Sequence, residues 1–385
     1  MKIAICAIGY NRVDSLSRLL SSLNAAVYDE DVTLIISLDR SKTLDVKTYS
    51  DEFEWKHGEK KVILQECNLG LRKHVLRCGQ YMNDYGFDAL VVLEDDITVS
   101  PYFYSYVKQC VIQYQNDDCI AGISLYSFPI NYITGYPFTP VDSEHDVYLM
   151  NCAMSWGQVW IKEKWNKFIN WYNRNDEEFS LPHLPAPINQ WPKSSWLKYH
   201  TRYCIENDLY FVYPYVSLTT NNSDPGTHNK VGHTYMQSRL QCLPRKAWNL
   251  PPSSKIEVRY DGFFEPKFLY NHLHIDEEQL TINIYGTKTN SKNRYELSMN
   301  VLPYKVVKSF GLKYKPIEAN VLCDVKGTDL FLYDKSIACI TTGCNQYNNI
   351  IEYYYLNIYE KFYMWRNFKK LCKDFLKFHA NRILK

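Results

Sequence analysis

From the amino terminus, apolar residues run almost unbroken from Lys2 to Ile8 and stop at Gly9. Leu16, Leu19, Leu20 and Leu23 then recur at helical spacing behind Asp14 as a candidate N-cap, so the pattern predicts strand, loop and helix. Val32 to Leu38 repeats the strand signal and ends at Asp39-Arg40-Ser41, and Lys61 to Leu64 supplies a third strand before Asn68-Leu69-Gly70. A helix carrying Val75, Leu76 and Tyr81 leads to a fourth, Ala89 to Leu93. Near-continuous apolar strands alternating with helices predict an α/β fold with a mostly parallel sheet covered on both faces, since each strand must bury both of its sides.

In open parallel sheets ligands bind beyond the carboxyl ends of the strands. Those positions are Asn11 and Arg12, Asp39, Asn68, and Glu94-Asp95-Asp96. A second pattern begins with Trp156, Trp160, Trp165 and Trp171 at near-helical spacing, followed by a proline-rich loop and a helix from about Ser194 to Asn207. Pro251-Pro252-Ser253-Ser254 reads as a linker. The expected organisation is a catalytic domain over 1–250, an accessory region with strands over 255–350, and a basic amphipathic helix over 351–385. On that helix Ile358, Phe362, Trp365, Cys372 and Leu376 share one face, and Arg366, Lys370, Lys373 and Lys377 another. Such a helix suits an anionic bilayer, each basic side chain adding about 1 kcal/mol near the surface; packing on the protein's own domain is the competing expectation.

At 385 residues the chain exceeds the size at which one core keeps growing, which supports a large domain plus an appended part. Hydrophobic residues at 46% and charged residues at 22% exclude a disordered composition. A net charge of +2 lacks the basic footprint of a nucleic-acid partner. The 33 tyrosines suit shallow sites that stack on sugar rings, or reflect compositional drift. Twelve scattered cysteines without a CxxC pair indicate neither a zinc site nor a disulfide framework. With no signal peptide and no apolar run of about 18 residues, the expected location is a reducing cytosol, with peripheral contact at the inner face of the cell membrane through the basic helix.

Three consecutive carboxylates raise one another's pKa unless a cation neutralises them. A hard divalent ion, Mn²⁺ or Mg²⁺, is the natural remedy; it takes one or two protein carboxylates and fills its remaining positions with water and phosphate oxygens. The alternative is a solvated acidic turn preceding a helix that starts at Ser100-Pro101.

The string from Phe87 to Phe103, with Glu94-Asp95-Asp96 at its centre, resembles the acidic segment of the N-acetylglucosaminyltransferase I family and is similar to bacterial family-2-like glycosyltransferases. The resemblance covers about residues 1 to 235 and is strongest from Ile3 to Pro101. It implies a GT-A fold, a Rossmann-like nucleotide-binding domain with flanking helices and a smaller C-terminal extension. It further implies a uridine-diphosphate sugar donor, with Arg12 beside the uridine or diphosphate and Asp39 at the uracil. Asp96 becomes the metal ligand, with Glu94 and Asp95 around the ribose and the metal-bound waters. Met154 to Trp160 resembles the segment shaping the sugar pocket, which brings in Trp156, and Asn221 to His228 resembles a loop that orders over the donor, which brings in His228.

Where the related enzymes carry a catalytic aspartate, this chain reads Lys193 to His200 without a carboxylate. Candidate bases are His200, Glu206, Asp208 and Asp224, with Asp224 preferred because its loop is polar. The expected activity is metal-dependent, inverting transfer of a sugar from UDP-N-acetylglucosamine or a related hexose donor to a surface glycan or lipid-linked glycan. Two rivals stand beside it. A nucleotidyltransferase needs a glycine-rich basic loop after the first strand, where only Gly9 is present; a catalytically inactive nucleotide- or glycan-binding module fits the missing carboxylate.

Overall fold

The computed structural model describes residues 1–224, 236–245, 247–289, 291–339, 350, 353–354, 368–370, 372–373 and 376. The first unit runs β1 (Ile3–Gly9), α1 (Val13–Asn24), β2 (Thr33–Leu38), α2 (Asp45–Glu52), β3 (Lys60–Leu64), α3 (Leu71–Asp84) and β4 (Ala89–Glu94). A short strand β5 (Ile97–Val99) precedes α4 (Phe103–Tyr114), β6 (Ile120–Ser124), β7 (Val147–Met150), β8 (Gln158–Ile161) and α5 (Lys162–Tyr172). Then follow α6 (Ala186–Gln190), α7 (Trp196–Glu206), β9 (Tyr210–Pro214), β10 (Thr219–Asn221) and β11 (Arg259–Tyr260).

Nine strands form one sheet in the order β11-β7-β9-β6-β8-β4-β1-β2-β3. β1, β2, β3 and β4 are parallel neighbours, while β8 runs antiparallel between β4 and β6. The expected α/β class and mostly parallel sheet are therefore present. Its physical basis is visible in β1: Ile3, Ile5 and Ala7 face one buried cluster, and Ala4, Cys6 and Ile8 the other. Both clusters are covered by helices, so no polar residue is tolerated along that strand. α1 buries the anticipated stripe of Leu16, Leu19, Leu20 and Leu23. Its N-cap position is Arg12, not Asp14, and no side chain caps it, which leaves the Arg12 side chain free for another task.

The tryptophan run is not one helical face. Trp160 lies on β8, Trp165 and Trp171 lie on α5, and Trp156 precedes both elements. Their near-helical spacing spans a strand-to-helix junction at which Trp160, Trp165 and Trp171 pack into the same cluster, which imitates a helix period. Trp160 and Trp165 stack at 3.7 Å. α7 starts as expected, with Ser195 Oγ accepting from the Lys198 amide.

Beyond residue 279 a second sheet has the order β12 (Leu280–Ile282), β13 (Tyr295–Ser298), β15 (Leu330–Ala338), β14 (Tyr304–Phe310), with its own buried cluster. Two enclosed carboxylates lie at its root. Glu265 accepts from the amides of Ile284 (3.0 Å) and Tyr285 (3.2 Å), and Glu318 accepts from the Tyr260 hydroxyl. Burial is the main cause that pushes their pKa values up, to about 8 and about 7 from an ordinary 4.5. A carboxyl whose folded pKa is raised holds a proton that the unfolded chain has already released, so its stabilising contribution is lost as pH climbs from about 4.5 to 8. Thermal unfolding at pH 5.5 and pH 8 should accordingly show lower stability at pH 8, with a smaller difference in Glu265→Gln.

Most of the expected basic helix over 351–385 lies outside the described residues; those described at 368–370, 372–373 and 376 are helical and exposed. No described helix is long and apolar enough to cross a membrane.

Candidate active site

The switch in strand order between β1, with β2 on one side and β4 on the other, opens a crevice at their carboxyl ends, where ligands bind in such sheets. Register places Ile8 beside Glu94, so the chain leaving β1 passes directly over the acidic turn that leaves β4. Arg12 there clasps Asp95: its Nη2 donates to Oδ1 and its Nε donates to Oδ2 at 3.2 Å. The same Nη2 lies 3.7 Å from Asp96 Oδ2.

A second approach comes from far along the chain. β5 and β10 pair antiparallel, with Ile97 opposite Asn221, and the Asn222 amide donates to the Asp96 carbonyl at 2.8 Å. The ribbon thereby delivers Asp224 to the mouth. Ser15 Oγ donates to Asp224 Oδ2 at 2.8 Å and Arg18 pairs with the same oxygen, both from one face of α1.

Two connected cavities result. The first, about 360 Å³, is lined by Gly9, Arg12, Asp39, Gly70, Glu94 and Asp224 among others. The second, about 370 Å³, is lined by Trp156, Trp191, Trp196, Asn221 and Asp224 among others. Leu71, Glu94, Asp96 and Asp224 border both. Gly70 has φ 74° and nothing within 4 Å of where a Cβ would be, so the wall there is bare backbone open to a ligand.

The carboxylates are held in an unfavourable state. Burial pushes the Glu94 pKa up to about 8, with Asp96 adding repulsion and the Trp196 indole N–H, 3.4 Å away, opposing it. Asp95 is pushed up to about 6 by burial against the pull of Arg12. Asp96 is also raised, again first by burial, while Arg12 and the Asn221 side chain pull it down. Asp96 Oδ1 is enclosed and accepts no hydrogen bond from the described chain. Were all four carboxylates ionised, they would exceed the guanidiniums of Arg12 and Arg18 by two negative charges, a surplus that a divalent cation would offset and that protonation relieves in its absence.

Among the described residues no three His, Cys, Asp or Glu side chains converge as a metal cage. The donor set instead fits an ion held by one or two carboxylates and completed by water and phosphate, with Asp96 Oδ1 as the available protein oxygen.

The other anticipated residues divide. Asp39 borders the first cavity, but its carboxylate is occupied by backbone: Oδ1 accepts from Leu69 (2.8 Å) and Arg40 (2.9 Å), and Oδ2 from Gly70 (2.9 Å). It builds the turn that starts α3. Trp156 is half-buried in the second cavity. His200 is away from both: it is 1% exposed, 4.3 Å from the Phe168 ring, and burial alone lowers its pKa to about 3. An apolar core keeps that imidazole neutral and out of reach of a substrate. Glu206 pairs with Arg202 at 2.8 Å and Asp208 with Lys267 at 3.3 Å, and neither borders the two cavities. His228 lies outside the described residues. Ser15, Arg18, Trp191 and Trp196 were not anticipated; the only local signal was the position of Ser15 and Arg18 on the turns that follow the first strand end.

A family described as the SPBC1E8.03c C-terminal domain matches residues 14–176, which include the acidic turn. No curated protein matches the chain by sequence. Among solved structures, the chain is similar to S. aureus TarS at 11% identity over 56% of this chain and 36% of that one, with a TM-score of 0.33. It is similar to the mannosyltransferase PcManGT from Pyrobaculum calidifontis, solved with GDP-Man and Mn²⁺, at 10% identity, 55% and 54% coverage and a TM-score of 0.35. Mouse xyloside xylosyltransferase 1 aligns at 11% identity, 55% and 84% coverage and a TM-score of 0.35. The chain thus spans about a third to a half of the first two relatives. Overlaps this partial fix neither family nor activity.

Proposed function

We propose that the protein is a GT-A-type glycosyltransferase that moves a sugar from a uridine-diphosphate donor, UDP-N-acetylglucosamine or a related hexose, to a hydroxyl of a surface or lipid-linked glycan, with inversion. The observation that carries the proposal is the enclosed, unpartnered oxygen of Asp96, set among carboxylates of raised pKa where two cavities meet. A solvated acidic turn would have neither the burial nor the two cavities.

In this reading the first cavity takes the nucleoside diphosphate. Asp39 shapes its wall by holding the 68–70 turn, and Arg12 faces the diphosphate while restraining Asp95. Asp96 would hold a divalent cation, and Glu94 and Asp95 would lie around the ribose and the ion's waters. Such an ion, when bound, neutralises charge that develops on the departing diphosphate. Asp224 accepts the acceptor's proton, a task worth about 10²- to 10⁴-fold in rate, with Ser15 and Arg18 setting the direction of its carboxylate. The catalytic role is assigned to residues 1–250 and none to 255–350.

The engagement of Asp224 by Arg18 also suits a second reading, a binding module without turnover. UDP release from UDP-glucose, UDP-galactose and UDP-N-acetylglucosamine, with and without Mn²⁺, separates the two. Mn²⁺-dependent release supports transfer; saturable UDP binding with no release from any donor supports the module. Arg12→Ala should weaken UDP binding about 10- to 150-fold, since a charge-assisted contact to phosphate is worth about 1.5–3 kcal/mol. Unchanged binding by calorimetry would remove Arg12 from the donor site.

A further inference from the structure

The second cavity has a composition that a nucleotide does not explain. Its lining combines aromatic and apolar side chains, Trp156, Trp191, Trp196, Met154 and Leu197, with the carboxylate cluster and Asn221. A pyranose ring matches that combination, with a C–H face for an aromatic plane and hydroxyls for the polar groups. An alkyl chain would leave the polar groups unsatisfied, and a charged ligand would waste the aromatic ones.

The three rings are not equivalent. Trp196 is 3% exposed, spends its indole N–H on Glu94, and stands edge-on to Trp160 at 5.6 Å, so it is a fixed wall. Trp156 stands edge-on to Tyr126 at 5.0 Å, and its carbonyl accepts from Thr219 Oγ1 at 2.6 Å. Trp191 is half-buried and rests against Tyr132 with ring centroids 6.0 Å apart. Its backbone is clamped: the amide donates to the Pro187 carbonyl at 3.0 Å, and the carbonyl accepts from Lys198 Nζ at 2.9 Å. Lys198 also reaches the Asn189 carbonyl at 3.0 Å, so the C-terminal end of α6 is pinned to α7 by one buried ammonium. A clamped, partly open indole costs little ordering when a ligand stacks on it.

Resting on the glycosyl-transfer reading, which leaves Trp156 to the donor's sugar, we infer that the part of this cavity lined by Trp191 is the acceptor subsite and that the acceptor is engaged as a carbohydrate ring laid on Trp191, its reactive hydroxyl directed to Asp224. The acceptor class is a glycan recognised at the sugar itself, and a lipid or peptide carrier extends outside the cavity.

The test uses the full chain with Mn²⁺, the UDP-sugar that supports release, and a panel of methyl glycosides of glucose, galactose, mannose and N-acetylglucosamine. At least one glycoside is expected to accept sugar and to perturb tryptophan fluorescence on binding. Trp191→Ala should raise its KM about ten-fold with donor KM within two-fold, and Trp191→Phe should restore most of the loss. An unmoved acceptor KM in Trp191→Ala overturns the subsite. So does a panel that neither accepts sugar nor perturbs fluorescence while UDP release proceeds. Absence of UDP release from every donor with the unmodified chain overturns the transfer reading itself.

Discussion

Asp96→Ala is expected to lower Mn²⁺-dependent UDP release by about 10²- to 10³-fold without lowering the thermal stability of the protein. The rate effect follows from the assigned role: an ion that offsets leaving-group charge is worth several kcal/mol in the transition state, and each 1.36 kcal/mol is ten-fold in rate. The stability effect follows from the ligand-free electrostatics. Asp96 is raised in pKa chiefly by burial, it raises Glu94 in turn, and its Oδ1 has no partner in the described chain. Removing it relieves a like-charge contact. The backbone link that holds the β10 extension, from the Asn222 amide to the Asp96 carbonyl, survives the substitution. Asp96→Asn keeps the shape and removes the charge, so it should share the kinetic loss. Rates measured by UDP release and melting temperatures by calorimetry decide the matter, and normal turnover in either variant removes the metal assignment.

Trp165→Ala is expected to cost about 3–5 kcal/mol of stability, the range for truncating a buried tryptophan. Trp165 stacks on Trp160, meets Phe168 at 5.1 Å and His200 at 5.7 Å, and is 2% exposed. Its indole N–H has no hydrogen-bond partner in the described chain, an offsetting cost that places the loss toward the lower end of the range. Gly79 of α3 lies against the same ring: a Cβ there would approach Trp165 to 2.2 Å. Gly79→Ala alone should therefore destabilise by about 1–3 kcal/mol through overpacking. In the Trp165→Ala background the clash is gone, and the same change should stabilise by up to about 1 kcal/mol through helix propensity. Urea unfolding of the four proteins in this cycle checks the reversal of sign, and an additive result would show that the ring does not press on Gly79.

The residues that were legible in advance are those whose signal is short-range. β1, β2 and β4 announce themselves by runs of mostly apolar residues, because both their faces are buried, whereas β3, a half-buried edge strand, shows only Val62 to Leu64 behind two lysines. The polar residues ending them mark the crevice for the same reason, since a charge after such a run must lie at the sheet's edge. Arg12 lines the first cavity because it follows β1 by only a few residues. Asp39 shows the limit: its place at a strand end was legible, but not that three backbone amides already occupy its carboxylate.

The remaining features depend on pairings that no local pattern encodes. Thr98 and Asn222, 124 residues apart, meet only because β5 and β10 form a ribbon, and that ribbon brings Asp224 to Arg18 across 206 residues. His200 was a candidate because it lies in the stretch where the related enzymes carry an aspartate, yet α7 packs against both α3 and α5 and encloses it. The tryptophans shared a spacing without sharing an element. By itself the amino-acid order determined an α/β sheet buried on both faces, with acids at the end of its fourth strand, because periodicity and burial act within a few residues. Only the folded chain decided that those acids lie between two cavities, which residues hold Asp224 beside them, and that His200 is sealed in the core, because each depends on which distant segments the packing brings together.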